Sequence, residues 1–125
     1  MMERNKLRIL GLMSGTSVDG LDIAYTEIYS NPFELKLLDF ITIDYTEEER
    51  AWILSTMNPN NNLRQVCIDN KELGVFFGEK VNQAMEEMQI DKGDVEYISS
   101  HGQTLYHAPD YGASLQAGEL AEIAA

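Results

Sequence analysis

The first part of the chain follows the two-residue period of β-strands. An apolar run from Leu7 to Met13 predicts the first strand. Two further segments each place apolar residues on one face, namely Leu21, Ile23, Tyr25 and Tyr29, and then Leu35, Leu37, Ile41 and Ile43. The turn between these segments contains Asn31 and Pro32, and connections this short join antiparallel strands. The pattern therefore predicts an antiparallel meander of three strands.

Helical signals begin at Thr46. Thr46 and Glu49 have the spacing of a capping box, and the acidic residues between them suit the positive end of a helix dipole. This first helix is expected to end before Pro59, because proline disfavours the helical conformation of the residue that precedes it. The sequence thus predicts a short helix directly after the meander.

A longer helical pattern begins at Leu63, where apolar residues recur at spacings of three and four. Its predicted core face comprises Leu63, Val66, Cys67, Leu73, Phe76, Phe77, Val81, Ala84, Met85 and Met88. The helix is expected to end near Asp91, and a fourth strand is predicted over residues 95–100. Because helices separate this strand from the meander, we expect it to join the sheet in parallel through a right-handed crossover.

The predicted order is three antiparallel strands, helices and then a parallel strand, an α/β layout that resembles a ribonuclease H-like half-domain. A single domain is predicted for residues 1–125, because a chain of this length with 44% hydrophobic residues can bury one modest core. A last helical pattern runs from Leu115 to Ala125 and breaks off soon after it begins. We therefore expect the chain to be one piece of a longer protein.

Charge narrows the classes of partner. The formal net charge of -12 repels the phosphates of nucleic acids and anionic lipids, so neither is an expected partner. A polyanionic ligand such as a nucleotide would have to bind through backbone N–H groups, a helix or turn dipole, or a bound cation. The composition thus excludes a basic patch as the means of binding such a ligand and leaves these three modes open.

The cysteine content and the hydropathy of the chain indicate its cellular compartment. Cys67 is the single cysteine, which excludes a disulfide within the chain, and its apolar neighbours predict a packed, reduced thiol. No apolar run approaches the roughly 20 residues of a membrane-spanning helix. The segment before Leu7 also lacks the apolar stretch of a secretory signal. We therefore expect a cytoplasmic protein.

The segment between the first two strands, GTSVDG at residues 15–20, is rich in glycine and small polar residues. Glycines at its two ends allow positive φ angles and close approach of a ligand, and the amides and the Thr16 and Ser17 hydroxyls can donate to phosphate oxygens. A plain hairpin turn, in which Ser, Thr and Asp satisfy their own backbone, explains the composition equally well. The segment lacks the lysine of a Walker loop and does not fit the dinucleotide fingerprint.

Carboxylates and imidazoles supply the other candidate groups. Asp19 and Asp22 could each face a magnesium ion, usually through water, since this ion takes only one or two protein carboxylates. The alternative is a turn residue at Asp19 and a solvated strand position at Asp22. His101, Gln103 and Thr104 follow the fourth strand, where α/β sheets gather ligand groups, and they could bind a polyhydroxylated substrate.

Two motifs carry a resemblance to a known family. GLMSGTSVDGLD at residues 11–22 and SHGQTLYHAP at residues 100–109 are similar to the two N-terminal signatures of the anhydro-N-acetylmuramic acid kinases. The segment from Leu115 to Ala124 resembles the next part of the family sequence. The resemblance covers nearly the whole chain but only the first third of such an enzyme.

The resemblance implies a fold of the actin, sugar-kinase and Hsp70 ATPase type, in which two ribonuclease H-like lobes close on ATP. It implies an enzyme that uses ATP and Mg²⁺ to open the 1,6-anhydro ring of anhydro-N-acetylmuramic acid with water and to phosphorylate O6, a step of cell-wall recycling. The ATP and phosphate ligands carried over are Gly15, Thr16, Ser17, Val18, Asp19, Gly20 and Asp22, with the sugar near His101, Gln103 and Thr104.

The resemblance also implies that the general base and the adenosine-binding motifs lie beyond Ala125. Phosphoryl transfer depends on positioning and charge stabilisation by a complete site. We therefore expect the 125-residue chain, by itself, to have no kinase activity.

Two other functions remain open from the sequence. The chain could be a non-catalytic binding domain that dimerises through an open sheet edge or apolar surface. It could also be a ribonuclease H-like nuclease that uses Asp19 and Asp22 on metal ions. The nuclease is disfavoured because the first strand, Leu7 to Met13, contains no carboxylate and the acidic chain has no means of attracting nucleic acid.

Overall fold

The computed structural model describes residues 5–124 and shows a mixed sheet with helices. Its strands are β1 (Lys6–Ser14), β2 (Gly20–Tyr29), β3 (Glu34–Asp44), β4 (Tyr97–Ser100), β5 (Gln103–Ala108) and β6 (Ala113–Ala117). Its helices are α1 (Glu47–Ser55), α2 (Leu63–Glu87) and α3 (Leu120–Ala124), and short 3-10 turns cover Lys92–Asp94 and Pro109–Tyr111. Within residues 5–124, no helix combines the length and the apolar character needed to cross a bilayer.

The central sheet has the strand order β3-β2-β1-β4. β1 pairs antiparallel with β2, and β2 pairs antiparallel with β3. β4 pairs with β1 in parallel, with Ile9 beside Tyr97 and Leu12 beside Ser100. The predicted meander and the predicted parallel fourth strand are therefore both confirmed.

The helix boundaries follow from local chemistry. The Thr46 hydroxyl accepts a hydrogen bond from the Glu49 amide at 3.1 Å, and the Glu49 carboxylate accepts one from the Thr46 amide at 2.9 Å. This reciprocal pair is the predicted capping box at the start of α1. The side chain of Asn62 caps α2 by accepting from the Gln65 amide at 2.8 Å. Both helices thus begin where a side chain can accept from a free amide.

One face of the sheet packs against α2 to form the core. The buried residues of this cluster include Leu10, Leu12, Leu21, Ile23, Ile43, Leu73, Phe77, Val81, Ala84 and Met85. The predicted core face of α2 is wrong at its N-terminal end, because Leu63 and Cys67 are exposed. Buried positions in α2 begin only at Asp69, so the first turns lie outside the core although their periodicity continues. The predicted packed thiol is therefore an exposed one.

The opposite face of the sheet is apolar and exposed. Its large exposed side chains are Leu7, Met13, Leu35, Leu37, Phe40 and Tyr97. A register shift between Tyr25 and Thr26 adds one residue to β3, since Tyr25 lies opposite Asp39 and Thr26 lies opposite Leu37. Beyond such a bulge, odd-numbered residues point to the face that even-numbered residues occupied before it, and the reverse. The predicted single face of β3 is therefore wrong, because its two halves face opposite sides.

β5 and β6 form a separate two-stranded antiparallel sheet. The turn between them ends at Gly112, whose φ of 63° lies in the left-handed region. The sequence predicts a loop after β4 and a helix from Leu115, and both predictions are wrong in part. Gln103 begins β5, Leu115 lies in β6, and α3 starts only at Leu120. Strand pairing between residues 103–108 and 113–117 accounts for the difference.

Candidate functional site

The loops that carry the two sequence motifs lie at the same end of the sheet. β1 and β4 run parallel and pair through Leu12 and Ser100, so the segments after them emerge side by side. The first is the loop of residues 15–19, which we call the β1–β2 loop, and the second begins at His101. The carboxyl ends of parallel strands are where α/β sheets place ligand groups. The fold therefore brings the two motifs together.

The carbonyl groups of the β1–β2 loop are held by the rest of the protein. The Gly15 carbonyl accepts from the Val18 amide at 3.2 Å and from Gln103 Nε2 at 3.3 Å. The Ser17 carbonyl accepts from Arg50, through Nε at 3.4 Å and Nη2 at 3.3 Å. The Asp19 carbonyl accepts from the Tyr45 amide at 2.9 Å. Apart from Val18, the donors come from α1, β5 and the residue after β3. The loop is thus fixed from three sides through its acceptors.

Several donors of the same loop have no protein acceptor. Within residues 5–124, the amides of Thr16, Ser17 and Asp19 donate no hydrogen bond to another residue. All three residues are exposed, so these N–H groups can meet a ligand. Successive unpaired amides form an anion-binding concavity without any basic side chain. Such an arrangement could hold an anion on a chain whose formal net charge is -12.

Val18 occupies the strained position of the loop. Its φ is 54°, and its side chain is fully buried in the core. A β-branched residue is rare in the left-handed region, and such strain persists only where the surroundings impose it. Gly15 and Gly20 would allow positive φ, but neither residue is among the positive-φ glycines of residues 5–124. Burial of the Val18 side chain therefore sets the turn in place of a glycine.

Gly20 has a different reason to be glycine. A Cβ atom at this position would lie 3.0 Å from the Ile43 carbonyl oxygen and 3.1 Å from Thr42 Cγ2. These contacts are tighter than ordinary van der Waals distances, so a side chain there would require β3 to shift by a few tenths of an ångström. Gly15, by contrast, has only Ser17 Oγ nearby, at 3.8 Å from a hypothetical Cβ.

The two candidate carboxylates lie on either side of the β2 start. Asp19 is exposed and accepts a hydrogen bond from Ser17 Oγ at 3.1 Å. Asp22 lies opposite Met13 on the exposed sheet face and accepts from Thr42 Oγ1 at 2.7 Å. Within residues 5–124, no group of three or more His, Cys, Asp or Glu side chains is placed to hold a metal ion. Two carboxylates with water in the remaining positions fit the coordination habits of Mg²⁺.

The second motif divides into exposed and buried residues. His101 is exposed, and Thr104 is half-buried with its Oγ1 accepting from Gln116 Nε2 at 3.3 Å. Gln103 is fully buried, so its side chain faces the protein interior and not solvent. Of the three candidate residues His101, Gln103 and Thr104, a ligand can therefore reach His101 and Thr104 directly.

Gln103 belongs to a buried polar cluster that the sequence did not reveal. Its Oε1 accepts a hydrogen bond from Ser14 Oγ, which also lies 3.0 Å from the Tyr45 hydroxyl. Burial raises the pKa of Tyr45 to about 12, so the phenol stays protonated and can serve as a donor. Ser14 lies inside the first motif, but no pattern pointed to Tyr45 or to Arg50. Their roles depend on long-range packing of β3 and α1 against the loop.

The sequence of the chain matches one family of known proteins. The family model for anhydro-N-acetylmuramic acid kinase matches residues 7–125. A protein named anhydro-N-acetylmuramic acid kinase from Pseudoalteromonas atlantica is 38% identical over 98% of this chain and 33% of its own length. Proteins of the same name from a Sulfurovum species and from Bacillus thuringiensis are 38% and 35% identical over 96% and 93% of the chain.

The match covers unequal shares of the chain and of its relatives. The chain spans only 33% of the Pseudoalteromonas atlantica and Sulfurovum relatives and 32% of the Bacillus relative. The family model nevertheless covers almost all of the chain, and both loops at the carboxyl end of the sheet fall inside the matched residues. The chain therefore belongs to the anhydro-N-acetylmuramic acid kinase family.

Proposed function

We propose that this chain is the N-terminal part of a cytoplasmic, ATP-dependent kinase that opens the 1,6-anhydro ring of anhydro-N-acetylmuramic acid and phosphorylates O6. The observation that supports this most directly is the β1–β2 loop, whose carbonyl groups are bonded inward while the amides of Thr16, Ser17 and Asp19 have no protein acceptor within residues 5–124. Donors fixed in this way can receive the charge of a phosphoryl group without reorganising.

The proposed roles correspond to the two motifs. The phosphates of ATP would lie on the loop from Gly15 to Gly20, and Asp19 and Asp22 would hold Mg²⁺ through water. The ion would neutralise the negative charge that develops on the phosphates. His101 and Thr104 would bind the anhydro-amino sugar at the neighbouring hairpin. The sequence also predicts that Gln103 contacts the sugar, but its side chain is fully buried, so we do not include it among the direct ligands proposed here.

Residues 1–125 would form one lobe, a ribonuclease H-like half-domain, and the catalytic base would come from the region beyond it. The order of three antiparallel strands, helices and a parallel strand supports this assignment. Half of a cleft cannot position both substrates. The 125-residue chain alone is therefore expected to phosphorylate nothing.

A substitution at Gly15 tests the phosphate loop with little cost to the fold. A Cβ atom at Gly15 would meet only Ser17 Oγ, at 3.8 Å, but it would stand beside the amides that bind phosphate. In the complete reading frame, we expect Gly15→Ala and Asp19→Asn each to raise the KM for ATP or lower kcat by about tenfold, the effect of losing one charge-assisted hydrogen bond. The measurement is ATP-dependent formation of sugar phosphate, followed by mass spectrometry together with ADP release.

Gly93 provides the matched control. A Cβ atom there would meet only Asp91 Oδ1, also at 3.8 Å, and the residue lies away from both loops. Gly93→Ala should leave both kinetic constants unchanged. Unchanged kinetics in Gly15→Ala and Asp19→Asn as well would mean that the loop does not contact phosphate.

One observation favours a second function, a non-catalytic domain that forms homodimers. The sheet face opposite α2 exposes large apolar side chains such as Leu37, Phe40 and Tyr97. Sedimentation of the 125-residue chain would show a dimer that Leu37→Lys dissociates. A monomer at all concentrations, with kinase activity in the complete reading frame, would exclude this alternative.

A further inference from the structure

The side chain of Gln103 connects the two motifs. It is fully buried, and both ends of its amide group are engaged. Oε1 accepts from Ser14 Oγ at the end of β1, and Nε2 donates at 3.3 Å to the carbonyl oxygen of Gly15, the first residue of the β1–β2 loop. Gln103 is itself the first residue of β5. A single side chain therefore bonds the start of the loop to the start of the hairpin.

The geometry of the peptide group gives this contact a directional effect. The C=O of Gly15 and the N–H of Thr16 belong to one planar trans peptide, so they point in opposite directions. Gln103 Nε2 and the Val18 amide hold that C=O toward the protein. The Thr16 N–H, which donates to no residue in the described part of the chain, is consequently turned outward. Gln103 thus sets the direction of an amide that it does not touch.

We infer that Gln103 is a positioning residue: it holds the Gly15–Thr16 peptide so that the Thr16 amide faces the phosphate of the bound nucleotide. This inference rests on the proposed function for the identity of the ligand. Because Gln103 follows His101 and Gly102 directly, the same side chain makes the loop conformation depend on the position of the hairpin that would bind the sugar. Its carboxamide, with one donor end and one acceptor end, is the group that this pair of partners requires.

An isosteric substitution separates positioning from packing. In Gln103→Glu, the protonated carboxyl can still donate to the Gly15 carbonyl and accept from Ser14, but the ionised form has no donor and repels the carbonyl oxygen. Burial raises the pKa of the introduced carboxyl, so both forms are accessible between about pH 5 and 9. Other titratable or charged groups also lie near the site. Tyr45 lies 3.0 Å from Ser14 Oγ, Arg50 donates to the Ser17 carbonyl, and His101 precedes Gln103 by two residues. The charges of Glu49, Asp19 and Asp22 act on Tyr45.

The kinetic test compares three variants of the complete reading frame across that pH range. For Gln103→Glu, the ratio of kcat/KM for ATP to that of the wild type should fall by about tenfold as pH rises through the titration of the new carboxyl. Gln103→Met fills a similar volume without either hydrogen bond, so its ratio should be low at every pH. Gln83→Glu, an exposed change on α2, should follow the wild type throughout.

A second measurement on the 125-residue chain does not depend on activity. Amide exchange followed by NMR should show a changed Thr16 environment in Gln103→Met, with the signals of the α2 core unchanged. The inference would be overturned if kcat/KM for ATP had the same pH dependence in Gln103→Glu and in the wild type. It would also be overturned if the exchange rate and the chemical shift of the Thr16 amide were unchanged in a folded Gln103→Met chain. If Gly15→Ala has no kinetic effect while the Thr16 amide responds to Gln103, the proposed function fails and the positioning role stands.

Discussion

Replacing Gly102 by alanine should destabilise the protein through a contact that the structure defines. Gly102 has a φ of 74°, and a Cβ atom built on it would lie 2.3 Å from the carbonyl oxygen of Ala117 in the partner strand β6. Real Cβ atoms do not approach a backbone oxygen this closely. Either β6 must move away or residue 102 must leave its left-handed conformation, and each option disturbs the start of β5.

The magnitude comes from two separate costs. A left-handed conformation costs a residue with a side chain roughly 1–2 kcal/mol, and relieving an overlap by shifting the backbone costs about 1–3 kcal/mol. Gly112 has a similar φ of 63° but no heavy atom within 4 Å of a hypothetical Cβ. Gly112→Ala should therefore show only the first cost. Gly102→Ala should show both, a total of about 2–5 kcal/mol.

Urea unfolding of the wild type and the two variants measures these differences, provided that the m-values agree. The difference between the variants isolates the close approach of β5 and β6, because the backbone cost is common to both. Equal destabilisation by Gly102→Ala and Gly112→Ala would refute this reasoning, since the overlap with Ala117 would then have no energetic effect. A larger loss in Gly112→Ala would show that the hairpin geometry is wrong.

Two further predictions concern ionisation and thiol chemistry. The Tyr29 hydroxyl and then Arg8, at 3.1 Å, hold the pKa of Glu27 below its ordinary value. The ionised carboxylate therefore stabilises the folded state above its unfolded-state pKa, and this stability is lost as pH falls through the lower folded-state pKa. Glu27→Gln should accordingly lower the free energy of unfolding at neutral pH and reduce the change of the urea midpoint with pH in the acidic range. Equal pH dependence in both proteins would contradict it. Cys67 is exposed, so a thiol reagent should label the native and urea-unfolded chains to the same extent, whereas protection in the native state would mean a packed thiol.

The sequence was sufficient for the elements that depend on local pattern. An apolar run located β1, alternation located β2, and the capping residues located the start of α1, because each signal lies within the few residues that it describes. The parallel direction of β4 followed from the helices that separate it from the meander, whereas its partner strand β1 was found only in the structure. These rules operate on neighbouring residues or on the order of elements, and both can be read without coordinates.

Long-range packing decided the features that the sequence missed. The extra residue in β3 reverses its faces, and no residue type between Leu37 and Asp39 indicates it. The β5–β6 hairpin is the exception, because Pro109 and Gly112 are residues typical of turns between strands and the prediction of a helix from Leu115 overlooked this local signal. The strained φ of Val18 depends on the burial of its side chain, which is a property of the assembled core. Local rules cannot supply such information.

The inward bonding of the Gly15, Ser17 and Asp19 carbonyls has a consequence for genetic screens. The groups left for a ligand include three peptide N–H groups, and every amino acid except proline carries such a group. Codon changes at Thr16 or Ser17, apart from those to proline, leave the amides in place, so a saturation library would report only the contribution of the hydroxyl groups. Amide-to-ester replacement by chemical ligation would reveal the contribution of the amides, because it deletes the donor without changing the side chain.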